Sequence, residues 1–345
     1  MAAPNILCDC TGMSEKRWLE CREHGPKGDI EYTVGGSDVA VIFGLSPWTT
    51  PLELWMVKKG RMKPKAPPNP KQLLMGHMLE PIAAHFYGLQ TGNTVIDDNH
   101  LYQHANLEYA LANIDRRYMR KEDGESGVLE CKSLTYHKAA DWADGAIPIY
   151  YELQLRYYLA VMDQRHGAFS ALWGNNPEHD LATPHIERDQ AREDIIFEKL
   201  DRWIWSLRHD KPPTMEDVKP NLAMAALARI YGASKKGLPT IELPMKFEPK
   251  LRKIAALQKE NTELKGMIKK NEEAIEAHSV RIAELMKNHE HGILTTTTDK
   301  LLVDFATEVT KRVNSDYLKK EYPSVYAEAL RSSKSRKIKV TIQPV

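Results

Sequence analysis

Residues 111–115, LANID, and residues 127–133, GVLECKS, decide how this chain is read. An acidic residue, a short gap, then a β-rich run ending in Glu-x-Lys is the layout of a site that binds a cation beside a phosphodiester. Side chains alternate along a strand, so Glu130 and Lys132 share one face while Cys131 points to the other. A carboxylate and an ammonium then stand beside the same phosphate, with Asp115 upstream as a second carboxylate. The backbone carbonyl of Cys131 is well placed to add one more oxygen. Mg²⁺ or Mn²⁺ suits such a set, because a hard cation takes oxygen donors and keeps several waters. A divalent ion there offsets phosphate charge, polarises the phosphoryl oxygen and lowers the pKa of a bound water. Lys132 could orient that water or stabilise the pentavalent transition state as a compact cation. A surface hairpin of alternating charge would give the same letters. Against that reading, Glu130 and Lys132 interrupt an otherwise apolar run, where unpaired charge is costly.

Outward from this pair, two helices sharpen the pattern. Residues 71–89 carry Leu73, Leu74, His77, Glu80, Ala84 and Tyr87 at three- and four-residue spacing, which predicts a helix. Pro81 falls inside it and predicts either a kink or a second helix starting there. His77 and Glu80 share a face, so Glu80 offers a third acidic group. The run YYELQLRYYLAV, residues 150–161, puts Gln154 and Tyr158 four apart on one face, with Tyr151 a turn earlier. An amide and phenols beside a lysine can bond a phosphate or a water, although tyrosines at this spacing also fit an ordinary core helix. Strands are expected at 94–97, 100–104, 107–114 and 126–132, with DGESG at 123–127 as a turn. GAFSALWG and TPHIER read as a closing pair of strands. Helices are expected at 14–24, opened by Ser14, and at 189–209, with Ser37 as a plausible cap after the Gly35-Gly36 turn. The α-β-β-β-α-β order predicts an α/β fold with a central mixed sheet flanked by helices.

The chain has 345 residues, 42% of them hydrophobic, enough for a large core and against wholesale disorder. Its net charge of +1 requires any nucleic-acid surface to be local. The longest apolar runs are too short to span a bilayer, and MAAPNILCDC lacks the features of a secretory signal. The reading is a cytoplasmic protein with no membrane association. Cys8, Cys10, Cys21 and Cys131 are expected to be reduced thiols. The sharper alternative is an iron–sulfur cluster, but three of the four lie upstream and none downstream.

Composition changes after residue 210. The expected organisation is a catalytic core over 1–210, an irregular linker region over 211–247, a helical segment over 248–290 and a small β-containing segment over 291–345, ending in a basic strand. In the helical segment Ile254, Ile268, Ile275 and Ile282 recur at multiples of seven, with Leu257, Leu264 and Leu285 on companion positions. Asn261, Asn271 and His278 interrupt the seam. A coiled coil or hairpin arm and a helix packed on its own domain both fit.

Five stretches in order make the resemblance specific: GGSDVAVIFGLSPWTTPLELW, GHMLEPIAAHFY, ANID, GVLECKS and YYELQLRYYLAV. Together, over roughly residues 14–210, the chain resembles the YqaJ-type viral recombinase family, which contains the lambda-type alkaline exonucleases of the PD-(D/E)xK superfamily. The resemblance implies a restriction-endonuclease-like core, Mg²⁺ or Mn²⁺ dependence, and 5′→3′ digestion of one strand of duplex DNA. The resulting 3′ single-stranded tail would serve a single-strand annealing partner in recombination. It also implies a phage or prophage origin and a homo-oligomer, a trimer. By the same resemblance Asp115 and Glu130 match metal ligands, Lys132 the catalytic lysine, and Glu80 and Gln154 acid and amide groups on the flanking helices. Ser37 matches a serine that helps hold a 5′-phosphate. Its partner arginine is Arg22 or Arg17, because the spacer before GGSD is longer than the family pattern. Two other functions fit the residues: an endonuclease or non-processive trimming nuclease of this fold, and a non-catalytic DNA-binding or assembly protein. The competent residues at every site position weigh against the last.

Overall fold

In the computed structural model, which describes residues 3–65, 69–176, 178–234, 237–310 and 312–330, the chain divides into units Met1–Gly232 and Ala233–Val345. The first unit begins with β1 (Asn5–Asp9), α1 (Glu15–His24), α2 (Gly36–Ile42), α3 (Pro51–Lys58) and α4 (Pro70–Thr91). Five strands follow: β2 (Thr94–Asp97), β3 (His100–Gln103), β4 (Leu111–Ala112), β5 (Arg116–Met119) and β6 (Ser126–Ser133). Then come α5 (Ile149–Met162), β7 (His166–Leu172), β8 (Leu181–Ala182), β9 (His185–Glu187), α6 (Gln190–Arg208) and α7 (Pro220–Tyr231).

The central sheet runs β2-β5-β6-β7-β8, with β9 also paired to β7. β5 and β6 are antiparallel, whereas β6 and β7 are parallel and joined through α5. A parallel pair needs such a crossover, and buried parallel strands read as apolar runs, as β7 does. α4 covers one face, where Ala83, Ala84 and Tyr87 pack with Leu129, Cys131 and Ala168. The other face carries α2, α5 and α6 in the main core, built around Trp55, Leu155, Tyr157, Phe169 and Leu200. This is the mixed sheet flanked by helices that the sequence predicts. A second sheet, β1-β3-β4, packs with α1 through Cys21, Leu101 and Leu111. The chain leaves this sheet after Ala112 and enters the central one at Arg116, so Asp115 sits at the crossing.

Several local expectations change. α4 is one helix through Pro81. The ring removes the bond to the His77 carbonyl, and packing of the next turns outweighs that loss. Ser37 is not a cap: Gly35 is the N-cap of α2, and the Asp38 carboxylate accepts its amide at 3.1 Å. Ser37 is instead free to face outward from the first turn. Residues 211–247 are not wholly irregular. α7 forms within them, buries Ala223 and Ala226, and packs near α3, where Arg229 meets Glu53 at 2.9 Å. The first unit therefore extends past the expected boundary at 210, to Gly232.

The second unit contains α8 (Glu248–Met286), the antiparallel hairpin β10 (His291–Thr295) and β11 (Lys300–Asp304), and two short helices, α9 (Ser315–Glu321) and α10 (Pro323–Ala329). α8 is one uninterrupted helix of 39 residues, not a hairpin, and is rich in strong helix formers. The expected basic strand at 332–345 lies outside the described residues. Among those described, no helix is long and apolar enough to cross a membrane.

Candidate active site

Alternation along β6 does what the sequence predicts. Val128 joins the α5-side core while Leu129 and Cys131 join the α4 side, and Glu130 and Lys132 both turn toward α5. Glu130 is 1% exposed. Its Oε1 accepts bonds from Lys132 Nζ and, at 2.6 Å, from Gln154 Nε2 on α5. Gln154 also reaches the Tyr158 hydroxyl at 3.3 Å, one turn further along. Tyr158 packs over Gly36, where an added Cβ would lie 2.5 Å from its ring. Glycine there lets α2 approach α5 and brings Ser37 to the same opening. Lys132 Nζ lies 5.1 Å from the centre of the Tyr151 ring, a cation–π contact.

Asp115 enters from the other direction. Its Oδ2 accepts the Cys131 amide at 2.8 Å. β5 pairs with β6 only as far as Leu129, so this carboxylate takes over where the strand partner stops. Within a strand the N–H and C=O of one residue point to the same side. The Cys131 carbonyl therefore faces the edge where Asp115 lies. Glu80 comes from α4 and is held by Arg116 at 2.8 Å, and Arg116 also pairs with Asp97 at 2.8 Å.

Three carboxylates in one region repel one another. Burial, then the charges of Asp115 and Glu80, push the Glu130 carboxyl up to about 8 despite the neighbouring Lys132. Burial and Asp115 also raise Glu80, against the pull of Arg116. Burial opposes the Lys132 ammonium, but Glu130 and Asp115 outweigh it and raise its pKa. The remaining oxygen of Glu130, Oε2, is buried without a partner. An orphaned carboxylate oxygen amid mutual repulsion is what a divalent cation relieves. Among the described residues no three His, Cys, Asp or Glu side chains converge tightly enough to chelate a metal alone. Asp115, Glu130 and the Cys131 carbonyl fit a hard ion that fills its shell with water and substrate oxygens, as Mg²⁺ does.

These groups open on one cleft of ≈ 740 Å³, lined also by Arg22, Ser37, His77, Lys132, Gln154 and Tyr158. It contains Arg22 and not Arg17. The Arg22 guanidinium lies 4.5 Å from the Trp18 ring, and Trp18 is tied to Asn113 at 2.8 Å. Arg17 is half-exposed, bonded to the Pro26 carbonyl at 2.5 Å and near Glu20. The cysteines divide: Cys8 and Cys10 lie with their sulfurs 4.0 Å apart and pack in the same cluster as Cys21, while Cys131 belongs to the layer under α4. Sequence reading missed Arg116, Trp18 and Asn113. The charge pair directly after Asp115, in NIDRRYM, was a usable signal for Arg116; Trp18 and Asn113 had none.

Residues 17–165 match the family described as "YqaJ-like viral recombinase domain". The uncharacterized protein YqaJ of Bacillus subtilis (strain 168) is 26% identical over 335 residues, covering 96% of each chain, so the likeness runs through both units. Among solved structures, the alkaline exonuclease LHK-Exo of Laribacter hongkongensis is 19% identical, with a TM-score of 0.46 over 57% of this chain and 94% of its own. A phage-related exonuclease of Haemophilus somnus 129PT is 15% identical, with a TM-score of 0.37 over 50% of this chain and 91% of its own.

Proposed function

We propose that the chain, whose residues 17–165 match the YqaJ-like viral recombinase domain, is a Mg²⁺- or Mn²⁺-dependent deoxyribonuclease that digests duplex DNA from 5′ ends. The observation that carries this reading is the unpaired Glu130 Oε2, buried beside Asp115, Glu80 and Lys132. Asp115 and Glu130, with the Cys131 carbonyl, would hold the cation. When bound, it supplies charge neutralisation and an activated water. Lys132 donates to Glu130 until substrate arrives, then serves the attacking water or the phosphoryl oxygens. Gln154 keeps Glu130 oriented, and Glu80 adds negative charge to the rim. Ser37 and Arg22 give a neutral and a charge-assisted hydrogen bond to a terminal phosphate. The 3′ tail left behind would pass to a single-strand annealing protein. A homo-oligomer, a trimer by resemblance, working in the cytoplasm of a bacterial host of a phage or prophage, completes the reading.

The test is Mg²⁺-dependent release of nucleotides from linear duplex labelled at either end, with a closed circle of the same DNA as control. The proposal expects release from 5′-phosphorylated ends and an intact circle. Cutting of the circle would favour an endonuclease on the same site. Release from 3′ ends would overturn the polarity.

A further inference from the structure

Trp48 is 53% exposed, although it sits on one of the stiffer turns of the first unit. Its amide donates to Ser46 Oγ at 3.2 Å, and the Thr49 amide to the same oxygen at 3.4 Å. The Leu45 and Ser46 amides both bond the Ala40 carbonyl, at 2.9 and 3.1 Å. Pro47 precedes it and Pro51 opens α3. These bonds hold the indole in the open, where its flat face is available to a ligand. Tyr150 meets it edge-on, with ring centres 5.2 Å apart and planes at 79°, leaving the indole supported at the rim.

Trp48 stands between two cavities. One is the acidic cleft. The other, of ≈ 410 Å³, lies among α2, α3, α5 and α7 and is walled by Val41, Leu54 and Val57. The two share Ser37, Trp48 and Gln154. Glu53, at the second cavity, is already satisfied by Thr50 and Arg229. Asp38, the cavity's other carboxylate, pairs with Lys58 at 3.1 Å, so neither acid is left for a cation and the apolar wall suits a flat group.

We propose that Trp48, with Tyr150 at its edge, is a stacking platform for an unpaired nucleobase of the DNA strand whose adjacent phosphate lies in the acidic cleft. The inference rests on the nuclease reading for its ligand. The wall that the two cavities share, Ser37, Trp48 and Gln154, points to the occupant: a group flat enough to cover an indole and joined to a phosphate near Ser37. Aromatic faces hold bases with little regard to sequence, so the platform would splay the end without choosing a base.

The experiment uses the full chain as wild type, Trp48→Ala and Trp48→Phe. Affinity for a 5′-phosphorylated single-stranded oligonucleotide is read by fluorescence anisotropy in EDTA, and cleavage of the matching duplex in Mg²⁺. Both are repeated with abasic residues in place of the first nucleotides. Stacking predicts that Trp48→Ala weakens binding of the intact oligonucleotide about tenfold, that Trp48→Phe keeps most of it, and that KM moves more than kcat. On the abasic DNA the variants should be indistinguishable, because the mutation and the missing base remove the same contact. An equal loss on intact and abasic DNA, or no loss on either, overturns the platform. Base-dependent binding without hydrolysis by the wild type would support the platform and sink the nuclease reading instead.

Discussion

The cleft and the long helix α8 break the usual distribution of residues in opposite senses. In the cleft a charged residue sits where water does not: Glu130 is 1% exposed. Along α8 apolar residues sit where water does: Ile275 is 66% and Leu285 81% exposed. Burying a carboxylate and exposing a stripe of isoleucine and leucine each cost free energy. Each therefore marks a surface suited to a ligand. The ligand each suits differs. Glu130 Oε2, buried without a partner, suits a small hard cation, which would offset its charge. α8 exposes apolar residues along a seven-residue repeat, a pattern suited to pairing with another helix. Its seam is interrupted by Asn261, Asn271 and His278, which suits a register-specific contact more than a strong autonomous coiled coil. Its mixture of Lys and Glu argues against a dedicated DNA clamp. We therefore propose chemistry for the first unit and assembly or partner docking for the second.

The largest effects should fall on the cleft. Asp115→Ala or Glu130→Ala should each lower single-turnover cleavage by about 10³-fold or more and weaken Mn²⁺ binding, with circular dichroism unchanged. Ca²⁺ should bind without supporting turnover, since it coordinates more loosely than Mg²⁺. If either variant cut normally, the contrast between the two regions would lose its catalytic half.

Ser37→Ala should have a smaller effect, about tenfold on 5′-phosphorylated ends and less on 5′-hydroxyl ends. Matched competition between the two substrates reads it directly. Wild-type enzyme with no preference between the ends would remove Ser37 and Arg22 from the phosphate site.

Smaller still is a stability effect with a definite sign. The folded protein holds the Glu130 proton up to about 8, against an ordinary value of 4.5. Protonated Glu130 thus stabilises the fold fully below about pH 4.5, and this contribution is lost as pH rises through about 8. In EDTA, thermal stability should fall over that window, and Glu130→Gln should flatten the fall. Mg²⁺ competes with the proton for the same carboxylate, so it should raise the melting temperature more at pH 8.5 than at pH 6. An equal Mg²⁺ effect at both pH values would put the ion elsewhere.

The smallest effect on chemistry belongs to α8. Ile268→Asp with Ile275→Asp should reduce molecular mass in solution, measured by light scattering, while initial cleavage of short duplexes stays within about twofold of wild type. Loss of cleavage at unchanged mass would mean that α8 serves the active site.

What could be read from the chain follows from how local each feature is. The shared face of Glu130 and Lys132 follows from strand alternation, and the pairing of Gln154 with Tyr158 from one helical turn. The central sheet was legible because β6 and β7 are apolar runs on either side of a helical repeat. Arg22 could not be told from Arg17, since both lie on α1. They are five residues apart and so point well away from each other around the helix, and which one meets the cleft is set by tertiary contacts, among them the hydrogen bond from Trp18 to Asn113. α7 was hidden because prolines and a glycine flank a short run, and its burial against α3 is a tertiary matter. Ser37 looked like a cap from its place after two glycines, yet the close packing of Gly36 on Tyr158 gives it a different use. Whether α8 would fold back was open in the sequence, because a heptad pattern fits one long helix and a hairpin alike.

The most direct test is single-turnover cleavage of 5′-phosphorylated linear duplex by Lys132→Ala, with Mn²⁺ binding measured on the same preparation. Lys132 shares a face with Glu130 and lies beside the proposed ligands without being one. The account predicts a loss of about 10²–10³-fold in rate with the ion still bound. Cleavage at near wild-type rate would contradict it.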